Sequence, residues 1–299
     1  KQRLLTFLTT TMKVFSAITA FCLFSNAAAF TVKTPRSSST ALRMSDAQLG
    51  FPGAPTGGNE PEVFSLDLPF QRFEGGDTLR TWKMPQDGER VEYVVKTNGR
   101  PMKAKIELWQ GPIRKTHELT IDMQDGDKTP FRAILKYKKG PQVLKISNIG
   151  PYEFPLMAAV HVPTNERAEK LRKMTEDLFE KSPKEFVQGG PGGSTKGGAI
   201  RTFPIPNNVK SAQMIVWSKE VSGKGSKALI EVLQGPNNPK QVLDFSVAGG
   251  SQPYHCVFAT PGEGVTIRFT SKQFLEFPTR IVVLPYEYEE VTTSDTLWM

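Results

Sequence analysis

The chain is predicted to be all-β: two tandem homologous antiparallel β-sandwich-like domains joined by a helix and a Gly-rich linker. Three observations carry this. A segment near the middle of each half is nearly the same, IELWQGP (Ile106 to Pro112) and IEVLQGP (Ile230 to Pro236), five identities in seven residues at an offset of 124. Short apolar runs recur throughout both halves, with Gly, Pro, Asn and Asp between them, which is the pattern of strands and turns. One stretch between the halves switches to helical period and is followed by GGPGGSTKGG.

The repeat extends well beyond its best-matched core. Leu79-Arg80-Thr81-Trp82 faces Ile200-Arg201-Thr202-Phe203, and Val91 to Lys96 faces Ala212 to Trp217, both at an offset of 121. Downstream, Thr129 to Leu135 faces Gln252 to Phe258, Val143 to Asn148 faces Thr266 to Ser271, and Glu153-Phe154-Pro155 faces Glu276-Phe277-Pro278, all at 123. Collinear matches whose offset drifts only by loop-length changes mark a duplicated unit, which must be recognised before any other fold assignment.

Taken in order, residues 1–45 read as a bipartite targeting presequence. Residues 1–11 precede a start at Met12. Lys13 and the apolar run Val14 to Phe24 then lead to Ser25-Asn26-Ala27-Ala28-Ala29, a signal peptide with a small-residue cleavage site. The run is too short to span a bilayer, which needs about 20 apolar residues. Phe30 opens a Ser/Thr/Arg-rich segment with no acid until Asp46, which is transit-peptide composition. Residues 46–62, rich in Pro and Gly, read as a disordered arm.

Repeat 1 is assigned to residues 63–163. Its predicted strands are Leu79 to Met84, Val91 to Lys96, Lys103 to Trp109, Thr116 to Met123, Phe131 to Tyr137, Val143 to Ile149 and Leu156 to Val162. In Thr164 to Lys181, Ala168, Leu171, Met174, Leu178 and Phe179 share one helical face. Thr164 serves as N-cap and Pro183 ends the segment. Residues 164–197 are therefore helix plus linker, residues 198–286 repeat 2, and residues 287–299 a C-terminal tail without counterpart in repeat 1.

Charge and cysteines narrow the function. The formal net charge is +8, but residues 1–45 hold six basic residues and no acid, leaving +2 (8 − 6) for the rest. Basicity of that origin does not point to nucleic acid. The two cysteines are Cys22, in the targeting segment, and Cys256. The mature chain thus cannot form an internal disulfide, which suits a reducing compartment. Cys256, in a strand pattern, reads as a buried inert thiol.

No constellation of catalytic chemistry emerges. His117, His161 and His255 fall in separate strands without a Cys/His or carboxylate cluster at metal spacing, and read as strand or surface histidines. The Gly-rich run lacks the Lys-Ser/Thr of a phosphate loop. The residues shared by the two halves are chiefly apolar residues, Gly, Pro, one Gln, Glu, and Arg80/Arg201: a scaffold. The expectation is no enzyme, no cofactor and no metal. The candidate interface residues are the repeated turns Gln110, Gly111, Pro112 and Gln234, Gly235, Pro236, which also read as plain structural turns, together with Leu297 and Trp298. These last two put an apolar terminus on a polar stem and would either fold back on their own domain or dock on a neighbouring copy. Pro155 and Pro278 are read as blocks to pairing at a sheet edge.

With the presequence, the tandem β-repeat, Ile106 to Pro112, Ile230 to Pro236 and the two Glu-Phe-Pro segments in view, residues 75 to 290 resemble the pyrenoid shell proteins of diatoms. That resemblance implies a self-assembling homo-oligomeric sheet or tube. It would enclose the Rubisco matrix at the pyrenoid periphery in the plastid stroma and limit CO2 leakage, with no nucleic-acid partner and no transmembrane segment in the mature chain. The alternative is a tandem β-sandwich binding module of the plastid, glucan- or photosystem-associated, with Trp82, Trp109 or Trp217 as its platform.

Overall fold

A computed structural model describes residues 63–128, 130–137, 140–188, 200–218, 225–247, 253–260, 262–273 and 278–289. The presequence, the arm at 46–62, the Gly-rich run and the candidate residues Leu297 and Trp298 lie outside the described residues.

Repeat 1 contributes β1 (Gln71–Phe73), β2 (Thr78–Met84), β3 (Arg90–Lys96), β4 (Met102–Gln110), β5 (Arg114–Met123), β6 (Phe131–Lys136), β7 (Gln142–Asn148) and β8 (Leu156–His161). The helix α1 (Asn165–Lys181) follows. Then come β9 (Glu185–Gln188), β10 (Ile200–Pro204), β11 (Val209–Trp217), β12 (Ser226–Gln234), β13 (Pro239–Val247), β14 (Tyr254–Ala259), β15 (Val265–Ser271) and β16 (Pro278–Tyr288). All seven strands expected in repeat 1 are present, within two residues at each end. Three elements depart from the sequence reading: β1 is an eighth strand in repeat 1 where seven were expected. β9 falls in the stretch read as linker, and β16 runs into the stretch read as tail. β9 is four residues long with Val187 as its buried residue, and it exists by pairing with β16 rather than by any local pattern.

The strands form two antiparallel sheets of eight. One has the order β1-β8-β3-β6-β14-β11-β16-β9, the other β10-β15-β12-β13-β5-β4-β7-β2. Each repeat supplies four strands to each sheet in the same order, so each is a sandwich of four strands on four. The sandwiches are also fused edge to edge: β6 pairs with β14 in the first sheet and β5 with β13 in the second. The register at the fusion is self-complementary. His117 faces Val247 and Gln241 faces Met123, and both equivalences, 117 to 241 and 123 to 247, are offsets of 124. A pseudo-two-fold therefore passes through Thr120/Asp244 in one sheet and Ala133/Cys256 in the other, as in an isologous dimer.

One core runs through both halves. Phe131, Ile106 and Leu119 of repeat 1 belong to the same buried cluster as Phe258, Ile230 and Phe245 of repeat 2. Tyr254 bridges the fusion, stacked on Phe245 with ring centroids 5.6 Å apart, 5.5 Å from the His117 ring, its hydroxyl 3.4 Å from that of Tyr93.

The two sheets differ in exposure. In the second sheet burial alternates, as in Met102, Ala104 and Ile106 inward against Lys103 and Lys105 outward, so its outer face is open. In the first sheet β3 is buried at six of seven positions and β14 throughout. Their sequences, RVEYVVK and YHCVFA, are runs rather than alternations, the mark of strands covered on both faces. The cover is α1, with Thr164 as N-cap accepting from the Arg167 N–H at 3.4 Å. Leu171 and Met174 pack with Val63, Phe64, Ile134 and Val257; Phe179 packs with Ile215, Trp217 and Val282. The helix thus lies over the fusion and touches both repeats. Among the described residues no helix is long and apolar enough to cross a membrane.

Candidate assembly surface

The Gln-Gly-Pro motifs close the β4–β5 and β12–β13 hairpins. Gly111 has φ 64° and Gly235 φ 77°, the left-handed region that favours glycine. Each hairpin also carries a register shift at the equivalent place, between Leu108 and Trp109 and between Val232 and Leu233. A positive-φ glycine with a bulge re-aims the strand end and explains why the motif is kept in both halves. Gln110 and Gln234 are half-buried, and the Gln234 amide lies 2.7 Å from where a Cβ on Gly262 would stand, so it packs on its own chain. Gly111, Pro112, Gly235 and Pro236 are exposed. Because β5 and β13 run antiparallel, the two tips project from opposite ends of the sandwich and do not come together.

Sequence reasoning missed the exposed apolar residues. Ile113, beside Pro112 at the first tip, is 88% exposed. Leu79 on β2 and Ile200 on β10, equivalent positions in the two repeats, are 43% and 42% exposed. Their signal was their place on edge strands, which only the sheet order reveals. Pro155 and Pro278 are not at edges: β8 lies between β1 and β3, and β16 between β11 and β9. They stand at strand starts, where a missing N–H is tolerated.

The open face of the second sheet carries an ion-pair cluster. Glu107, its side chain 4% exposed, accepts from Lys115 at 2.7 Å, Lys145 at 3.2 Å and Lys105 at 3.3 Å; Glu118 adds Lys105 and Lys115, both at 2.9 Å. Burial pushes the Glu107 carboxyl up, but hydrogen bonds from Lys115 and Lys145 and the charge and hydrogen bond of Lys105 outweigh it and hold it down at about 2. Repeat 2 keeps the pair in simpler form: Glu231, equivalent to Glu107, accepts from Arg268 Nε and Nη2, each at 2.8 Å. In both halves the acid and base face each other across the ladder, Glu107 against Lys145 and Glu231 against Arg268.

His161 is half-buried on β8, and the other two histidines are enclosed by the fold. His117 and His255 are buried, and burial lowers both to about 3. His255 sits under α1 in a relay. Gln213 Nε2 donates to the Pro285 carbonyl at 3.2 Å, leaving Gln213 Oε1 to accept from His255 Nε2–H at 3.1 Å. His255 Nδ1 then accepts from the Thr175 hydroxyl at 3.3 Å, tying the helix to the sheet with a neutral ring. Cys256 is buried in β14 and burial pushes its thiol up, away from nucleophile character. Among the described residues no group of three or more His, Cys, Asp or Glu is placed to hold a metal. Of the tryptophans proposed as a platform, Trp217 is buried under Phe179, and Trp82 and Trp109 are half-buried, the latter beneath the Lys115 ammonium at 5.3 Å.

Comparison with solved structures finds hazelnut (Corylus avellana) vicilin, at 10% identity, covering 72% of this chain and 76% of that one, with a TM-score of 0.17. The stem and receptor-binding domain of the spike protein P1 of bacteriophage PM2 matches at 12% identity, covering 75% and 98%, with a TM-score of 0.10. Scores this low carry no argument about fold or function. A comparison with curated protein sequences finds no match. The family model for the diatom pyrenoid shell protein matches residues 65–285, which span both sandwiches, the helix between them and both Gln-Gly-Pro hairpins. With that match over most of its length, the chain belongs to the diatom pyrenoid shell protein family.

Proposed function

We propose that this protein is the repeating block of a self-assembling layer that encloses the Rubisco-containing pyrenoid matrix in the plastid stroma and supports CO2 fixation by limiting CO2 leakage. Family membership supports a structural role in the pyrenoid. The observation that carries the layer reading is the pseudo-two-fold fusion. It gives one rigid block with like but non-identical features on opposite sides: edge strands β2 and β10 across the strands, hairpin tips along them. Heterologous contacts between such sides run on wherever their rotation does not close a ring, and contacts in two directions then generate a sheet or tube. The near-neutral balance outside residues 1–45 lowers repulsion between packed copies.

The exposed Gly-Pro tips and the tail residues Leu297 and Trp298 are the proposed contacts between copies. The Rubisco matrix is the proposed neighbour on one side of the layer, and residues 1–45 the proposed plastid address. Of the tryptophans the binding-module reading would use, Trp217 is buried, which leaves the half-buried Trp82 and Trp109 on separate strands.

Electron microscopy and size-exclusion of residues 46–299 test the reading. Extended sheets or tubes are expected; a monodisperse monomer or dimer at all concentrations overturns it. Removing residues 290–299, which leaves β16 whole, should preserve the circular dichroism spectrum and abolish the large assemblies. Intact assemblies from that variant would show that the tail is not an anchor.

A further inference from the structure

The open-faced sheet ends in β2 on one side and β10 on the other, and among the described residues each pairs on one flank alone, with β7 and β15. Eight strands in strict antiparallel order leave the two ends running in opposite directions. A second copy translated along the sheet would therefore bring its β10 against β2 antiparallel, continuing the ladder without reversal. Natural edges are usually blunted by inward charges, proline or a covering segment. Here β2 is seven residues long without proline and β10 reaches its proline at its last residue, but both carry the charges such edges use, Arg80 and Lys83 on β2 and Arg201 on β10, so a pairing strand must bring groups that accept them.

The side chains fit this pairing. Thr81 and Thr202 occupy equivalent positions, each between an arginine and an aromatic: Arg80 and Trp82, Arg201 and Phe203. The ladders set these flanking residues on the core side, Arg80 beside Ile146, Trp82 beside Leu144, Arg201 beside Phe269 and Phe203 beside Ile267. Trp82 and Phe203 are half-buried, capping the two ends of the shared core. Setting Thr81 opposite Thr202 puts Arg80 across from Phe203 and Trp82 across from Arg201. Those are two reciprocal cation–aromatic pairs around a Thr–Thr pair, both favoured across strands. Within the chain Arg201 also pairs with Glu185 of β9 at 3.6 Å, and Arg72 of β1 with Glu74 at 3.4 Å. The chain already contains one junction of this kind, the β5–β13 fusion.

We infer that copies of this chain join head to tail by antiparallel pairing of β2 with β10 of the next copy, in the register Thr81 opposite Thr202. The pairing rests on the layer-forming reading above and assigns one of its two directions to backbone hydrogen bonding. The row so formed is one continuous sheet, with the Glu107 and Glu231 clusters repeating along its open face.

Cysteine crosslinking tests it. Cα atoms of facing strand residues lie about 4.5–5.5 Å apart, within disulfide range, and the native Cys256 is buried. T81C and T202C variants of residues 46–299 are assembled separately and as an equimolar mixture, then mildly oxidised. The pairing predicts covalent dimers in the mixture and in the double variant, which also yields longer ladders, and none above background in either single variant. Dimers from each single variant alone would establish two-fold edge pairing and overturn the head-to-tail assignment. In the unsubstituted protein, hydrogen exchange should slow in Thr78–Met84 and Ile200–Pro204 on assembly. Assemblies that form with no slowing at these strands and no crosslink overturn the pairing while leaving the layer reading intact. Absence of assemblies overturns both.

Discussion

Replacing Glu107 by Gln should destabilise the fold by about 2 kcal/mol, and the size follows from its three lysines. The fall of the carboxyl from 4.5 to about 2 corresponds to about 3 kcal/mol of preference for the charged form in the folded state. The lysine side chains are 34%, 27% and 31% exposed, so solvent screens part of this, and Gln keeps one acceptor oxygen. Glu231→Gln, which loses a bidentate pair with a single Arg268, should cost about 1 kcal/mol. Urea unfolding of residues 46–299 at pH 7, below the concentration of assembly, reads both. The sign with pH is fixed: a carboxyl held low in the folded state stabilises above its ordinary value, and that contribution fades as pH falls from about 4.5 to about 2. The gap between parent and E107Q should therefore close over that window, and narrow at pH 7 in 1 M salt, where the screening length drops to about 3 Å. A pH-independent gap, or equal costs for E107Q and E231Q, would refute the assignment of the low carboxyl to the lysine cluster.

Phe179→Ala, which empties a fully buried site against Trp217, should cost about 3–5 kcal/mol and shift Trp217 emission to the red as the end of α1 loosens; unchanged emission would mean that the end of α1 does not shield Trp217 on β11. Acid should destabilise the chain through His117 and His255. Both are held neutral near 3 against an ordinary 6.5, so the unfolded chain binds their protons first and stability falls as pH drops from about 6.5 to 3. At pH 5 that amounts to about 2 kcal/mol for each buried ring. His255→Gln should lose less stability than the parent between pH 7 and 5, and an equal loss would show that this ring does not set the response.

What the sequence determined by itself was local or repeated. Alternating runs between turn residues gave the strands of repeat 1, and a shared apolar face with Thr164 and Pro183 gave α1. Five identities in seven residues gave the duplication, with a positive-φ glycine as the physical reason for conserving each Gln-Gly-Pro turn. Tertiary structure decided everything that depends on partners far apart in the chain. That β5 meets β13 and β6 meets β14, fusing two sandwiches into one core, leaves no local mark, because Leu119 and Phe245 look like any core strand residues until their partners are known. β9 is a strand because β16 offers it a ladder. His255 is buried because α1 folds back over β14, although its neighbours Tyr254 and Cys256 belong to the opposite face. Leu79 and Ile200 became candidates for contact between copies only when the sheet order placed β2 and β10 at its two ends. Turn chemistry and amphipathic period are written within a few residues, whereas edges, junctions and covered faces are properties of the whole chain's packing.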